Sequence, residues 1–98
     1  MRIRAWKPLH KGALRGFAEV ELGELLIAGI AVIEGKAGLF AALPRREWQD
    51  QDGNRRRAEE LVSFIDKQRG RQFSNALVAA LERAHPEDFA DNIQRLKV

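Results

Sequence analysis

The sequence predicts an α+β domain: a small antiparallel sheet of about five strands, then one long helix, then a short carboxy-terminal helix. Three observations carry that expectation. Between residues 14 and 43, apolar residues alternate with polar ones or run in short β-branched stretches separated by turn residues. After residue 66 the apolar period lengthens to that of a helix. His85-Pro86-Glu87-Asp88 then interrupts that helix and supplies the signals that start another: proline at the first position and acids in the first turn.

The elements follow in order. Trp6 lies in a strand-like segment and reads as core or interface. Ala18, Val20 and Leu22 alternate with Glu19 and Glu21, the period of a half-buried strand. Arg15 falls on its polar face, while Phe17 departs from the alternation. Gly23-Glu24 is a short turn, so the next strand forms a hairpin with this one. Leu25 to Ile33 is continuously apolar and rich in isoleucine and valine, which favours a strand. Glu34-Gly35-Lys36-Ala37-Gly38 is the next turn and Leu39 to Leu43 the next strand. Pro44 ends it, because proline lacks the N–H that a ladder needs.

Residues 45–57 have almost no apolar content apart from Trp48, and Asp52-Gly53-Asn54 marks a turn, so the stretch reads as a flexible, basic hairpin loop. Leu61 to Ile65 reads as a last, short strand. Phe73, Leu77 and Leu81, with Ala76, Ala80 and Ala84, form one helical stripe, and Asp66 is its expected N-cap. Lys67, Arg71, Asn75 and Glu82 fall opposite the stripe, and Arg69 at its edge. Gly70 lies near the helix start, where it costs about 1 kcal/mol against alanine, and the sequence supplies no reason for it. Phe89, Ile93 and Leu96 give the short second helix. The expected organisation is one domain over residues 1–84 and a helical extension over 85–98.

A chain of 98 residues, 45% hydrophobic, holds one domain with a small core. A core that small favours self-association, because an interface adds burial. The longest apolar run, Leu25 to Ile33, is far short of the roughly 20 residues of a membrane span. Met1-Arg2-Ile3-Arg4 lacks the apolar segment of a secretory leader. With no cysteine, disulfides, thiolate metal sites and cysteine nucleophiles are excluded. The expectation is a cytoplasmic protein that does not engage a membrane.

The net charge of +3 is unevenly spread. Residues 1–17 carry Arg2, Arg4, Lys7, Lys11 and Arg15 and no acid, whereas residues 18–35 carry Glu19, Glu21, Glu24 and Glu34 and no base. Arg45, Arg46, Arg55, Arg56 and Arg57 cluster after Pro44, and Lys67, Arg69 and Arg71 at the helix start. Such clusters suit a polyanion partner; they equally serve solubility.

Catalytic chemistry finds little support. Ser63 and Ser74 are the serines, and His10 and His85 the histidines, so a serine–histidine–acid set is poorly provided for. His85, before a proline, reads as a helix-break residue. Two histidines far apart without regular carboxylate spacing make a weak metal site. Gly35-Lys36-Ala37-Gly38 lacks the phosphate-loop pattern and reads as a hairpin turn. Glu59-Glu60 and Glu87-Asp88 are adjacent, so their side chains point apart. The expectation is a protein that is not an enzyme, with no metal and no cofactor. Nucleic-acid signals are better. A loop with basic residues and Trp48 can bracket a phosphate backbone and offer a stacking face, and Lys67, Arg69 and Arg71 sit at the positive end of a helix dipole.

One stretch carries a resemblance. Ile30-Ala-Val-Ile-Glu-Gly-Lys-Ala-Gly-Leu-Phe-Ala-Ala-Leu-Pro44 resembles the central signature of the bacterial stage V sporulation protein G (SpoVG, septation protein) family: an apolar strand, a V-I-D/E-G-x-x-G turn, then G-L-F-x-A-hydrophobic-P. Val32, Ile33, Gly35, Gly38, Leu39, Phe40, Ala42 and Pro44 fit it without a gap. Arg45, Arg46, Asp52 and Gly53 sit in a loop comparable to, and slightly longer than, the basic glycine-containing loop of that family. The likeness covers about residues 1–84, is specific across 30–44 and is one of pattern elsewhere; residues 85–98 have no counterpart in it. The resemblance implies a SpoVG-like α+β domain that forms a homodimer through its sheet and binds DNA or RNA as a regulator. Carried over, it implies contacts by Arg45, Arg46, Trp48, Arg55, Arg56 and Arg57 on the loop and by Lys67, Arg69 and Arg71 on the helix. Gly70 and Gln72 fall where typical members carry basic residues. The rival reading is a protein-interaction module that uses the sheet, or the stripe of Phe89, Ile93 and Leu96, to dock a partner.

Overall fold

The chain, as a computed structural model, describes residues 1–49, 53 and 56–89, the side chains of 56 and 57 excepted. Four strands, β1 (Arg2–Lys11), β2 (Leu14–Leu22), β3 (Leu25–Gly35) and β4 (Gly38–Ala42), form an antiparallel meander in the order β1-β2-β3-β4. β5 (Arg45–Gln49) and β6 (Arg56–Glu60) form a separate two-stranded ribbon. The helix α1 (Lys67–Ala84) follows, and a 3₁₀ turn over Pro86–Phe89 comes after it. The expected α+β class is what the structure has.

The core lies between one face of the meander and α1. In register across β1, β2 and β3, Ile3, Val20 and Ile27 form one row, and Trp6, Ala18 and Ile30 the next. Pro8, Gly16 and Val32 form a third, and Ala41 of β4 pairs with Val32. Against these rows α1 buries Phe73, Leu77, Val78 and Leu81. The buried helix face therefore runs through Val78, while Ala76 and Ala84 of the expected stripe are exposed. Asp66 caps the helix as expected, its carboxylate accepting from the Gln68 N–H at 2.9 Å. His85 closes the other end, its N–H donating to the Leu81 carbonyl at 2.8 Å.

Two bulges shape β2 and β3. Opposite Glu19, β3 inserts both Ala28 and Gly29, with Gly29 at φ 70°, a conformation that favours glycine. Arg15 is the extra residue of β2 between the Leu14–Ile33 and Gly16–Val32 pairs. The bulge turns Arg15 inward rather than onto the expected polar face: it is buried and its guanidinium donates to the Glu34 carboxylate at 2.5 Å.

Both edges of the meander are managed. At β4 the Ala41 N–H donates to the Ser74 hydroxyl of α1 at 2.8 Å, so the helix covers that edge. At β1 the side chains are basic, with Arg4 paired to Glu21 at 3.5 Å.

Three expectations need correction. Residues 45–57 are not simply a loop, because Arg45–Gln49 and Arg56–Glu60 pair as strands, with Arg46 opposite Glu59 and Trp48 opposite Arg57. Cross-strand pairs supply order that composition does not reveal. Leu61 to Ile65 is not a strand but a connector into the helix, with Ile65 fully exposed. After His85 the described chain makes only the 3₁₀ turn; Ile93 and Leu96 lie outside the described residues. Phe89, at 1% exposure, packs in the same core as the sheet and α1.

Candidate nucleic-acid interface

Between β4, the ribbon and the first turns of α1 lies an open groove of about 740 Å³. Its floor is apolar, with Val62, Phe64 and Phe73 among the lining residues. Phe64 and Phe73 rest against each other, ring centroids 5.2 Å apart. Among the described residues the rim carries the cations Arg45 from β5 and Lys67 and Arg71 from α1, with the carboxylate Glu60. Lys67 and Arg71 reach the same rim because residues four apart share a helix face. Pro44 brings Arg45 there: it ends the meander and turns the chain into β5, and its carbonyl accepts from the Leu61 N–H at 3.4 Å.

The remaining candidates separate by position. Arg46 is exposed on the ribbon, its guanidinium 4.9 Å above the Trp48 ring and 3.8 Å from Glu59. Trp48 is itself 38% exposed, with the Arg46 guanidinium over its ring. Arg45 makes a 2.8 Å pair with Glu47 on the same strand. Such exposed pairs contribute at most about 1 kcal/mol and yield to a phosphate. Arg69 is exposed on α1 but does not line the groove, since two residues from Lys67 it lies on another helix face. Arg56 and Arg57 are placed in β6 by their backbone. Arg55 lies outside the described residues, as do the side chains of Arg56 and Arg57.

The helix dipole contributes less than the sequence implies. No acid lies in the first turn, but the Asp66 carboxylate already occupies the end of the helix. The Asp66 carboxylate there places a negative charge beside the positive end of the dipole. Gly70 has a place in this geometry: it lines the groove, and a Cβ there would project to 3.6 Å from the Phe64 Cβ. That is an ordinary packing distance, so sterics alone do not demand the glycine.

Sequence reasoning found the cations but missed the groove. Its floor joins β4, the 61–64 connector and Phe73, and no local pattern announces that meeting. Two residues without an expected role in binding also come together elsewhere, where His10 and His85 both approach Asp88.

Comparison with known proteins points one way. No family model matches the chain, and no solved structure matches it. A protein of Clostridium beijerinckii with the provisional name septation protein SpoVG is 27% identical over 90 residues, spanning 91% of this chain and 93% of that protein. The resemblance read from residues 30–44 thus extends along nearly the whole chain, and the SpoVG family is the one this chain resembles.

Proposed function

We propose that this chain is a nucleic-acid-binding regulatory protein, working as a homodimer by binding rather than by catalysis, that holds a phosphate backbone in the groove between the ribbon and α1. The observation that carries the reading is the convergence of Arg45 with Lys67 and Arg71 over an apolar floor. Cations from two elements flank a backbone path, and Trp48, partly exposed elsewhere on the ribbon with Arg46 over its ring, offers a surface for base stacking. The resemblance of residues 30–44 to the SpoVG family implies the same activity. A homodimer is supported by the sheet face turned away from α1. Phe17, Ala31 and Ala42 form one cross-strand row there, and Leu14, Ile33 and Phe40 the next. Phe17 and Phe40 are exposed, and no described element covers them. The same face would serve a heterologous partner in the interaction-module reading, and light scattering on the pure protein separates the two.

The test is fluorescence polarisation with duplex DNA, single-stranded DNA and RNA at two salt concentrations. Binding is expected to weaken with salt on a log–log slope of about 0.9 per duplex phosphate neutralised. Absence of binding to all three at low salt would overturn the reading.

A further inference from the structure

The groove lies at the start of α1, and a second cluster lies at its other end, about 27 Å away for an 18-residue helix. Asp88 is its centre. The Trp6 indole N–H donates to Asp88 Oδ2 at 2.9 Å. His10 Nε2 lies 3.4 Å from Asp88 Oδ1. The Asp88 N–H donates to the His85 carbonyl at 3.1 Å, closing the tight turn that carries His85, Glu87 and Asp88. One nitrogen of His85 and one oxygen each of Glu87 and Asp88 lie within 4.8 Å of one another, with His85 Nδ1 3.9 Å from Glu87 Oε1.

We propose that His10, His85, Glu87 and Asp88 form a binding site for a divalent first-row transition metal, zinc above all. Both histidines of the chain arrive at one carboxylate from sequence positions 75 apart. Imidazole and carboxylate together are the donor set that zinc and its neighbours accept, whereas magnesium and calcium take oxygen. Zinc bonds of about 2.0–2.2 Å place tetrahedral ligands about 3.4 Å apart, the separation that His10 and Asp88 already have. His85 and Glu87 are accessible to an ion and close the remaining distance by side-chain rotation, since both are partly or largely exposed. Asp88, in contrast, is held. With Oδ2 occupied by Trp6, Oδ1 is presented on the His10 side, the outer hydrogen bond that fixes a metal-ligating carboxylate. The Trp6 ring is stacked on buried Phe89 at 5.7 Å, so that anchor is itself rigid. His10 has a φ of 51°, at the irregularity of β1 between Pro8 and Lys11 that sets its position near the hairpin turn. A bound ion would fasten the end of β1 to the turn after α1, joining the first and last described elements.

The experiment is isothermal titration of tag-free, full-length protein with zinc chloride near neutral pH, with magnesium as control. Thermal unfolding and cobalt absorption are followed in parallel. One zinc per chain, a zinc-dependent rise in the unfolding midpoint, visible cobalt bands of tetrahedral coordination and no response to magnesium are expected. His10→Ala and His85→Ala should each weaken zinc by more than the roughly 10–100-fold typical of removing an outer partner. Asp88→Asn keeps an acceptor for the Trp6 indole, so the fold, checked by circular dichroism, should persist while zinc affinity falls. No zinc response in the folded parent protein would overturn the site and leave only the polar contact between His10 and Asp88. Zinc binding undiminished in both histidine variants would overturn it equally, as adventitious surface binding.

Discussion

At the residue scale, small differences in side-chain volume carry the most consequence. Gly16 on β2 lies directly against Pro8 of β1. A Cβ there would meet the Lys7 carbonyl oxygen and lie 2.9 Å from the Pro8 Cα, both backbone atoms that cannot step aside alone. Gly16→Ala is expected to destabilise the domain by about 1–3 kcal/mol through overpacking, read as a lower urea midpoint. An unchanged midpoint would mean that β1 shifts freely against β2. Gly16 is one of the positions at which the alternation of β2 is informative only in context. The pattern Ala18, Val20 marks an inward face, and the same parity places residue 16 inward, but the close approach of Lys7 and Trp6 comes from its pairing with Pro8 on β1, which no local pattern shows. Arg15 is the clearest misreading at this scale. A charged residue next to an alternating strand is assigned outward by parity, yet one inserted residue reverses parity, and Glu34 supplies the charge that makes burial tolerable.

At the element scale, α1 divides its labour along its length. Its middle buries Phe73, Leu77, Val78 and Leu81, while its first turns present Lys67 and Arg71 to the groove. Arg45→Ala, Lys67→Ala and Arg71→Ala should each flatten the salt dependence of duplex binding by about 0.9 in log–log slope for every phosphate no longer neutralised. Stability should stay within about 0.5 kcal/mol of the parent, because all three are exposed. Arg69→Ala, on a different helix face, should change the slope less than either helix neighbour. Equal slopes for all four variants would separate binding from the groove. The position and cap of α1 were legible because helix signals are local: Asp66 and the apolar period act within a few residues. The β5–β6 ribbon was not, because its stability comes from cross-strand partners such as Arg46 and Glu59 that lie 13 positions apart in a polar sequence.

At the scale of the whole molecule, the two ends of the described chain meet. Trp6 on β1 stacks against Phe89 and donates to Asp88, so the segment after α1 belongs to the core that the first strand helps to build. Phe89→Ala should therefore cost about 3–5 kcal/mol, measured by denaturant unfolding. A cost below about 1 kcal/mol, the scale of an ordinary surface or minor change, would make the turn a peripheral attachment. The opposite sheet face makes a second prediction. Replacing Phe17 and Phe40 together by serine should shift the mass seen by light scattering from dimer towards monomer while secondary structure is retained, since both side chains are exposed in the protomer. A monomeric parent protein would remove the homodimer from the proposed function.

What the sequence by itself determined is everything that depends on near neighbours: the α+β class, the strands β2 to β4, the cap and span of α1, the break at His85, and the resemblance carried by residues 30–44. Only the tertiary structure decided which of the clustered cations share a groove, that Arg15 turns inward, and that Phe89 completes the core. The same holds for the meeting of His10 with Asp88. The physical reason is reach. Periodicity and capping are set by interactions within a turn of helix or a step of strand, whereas the groove and the Asp88 cluster are made by residues tens of positions apart. Their approach is dictated by bulges, register and packing rather than by any local pattern.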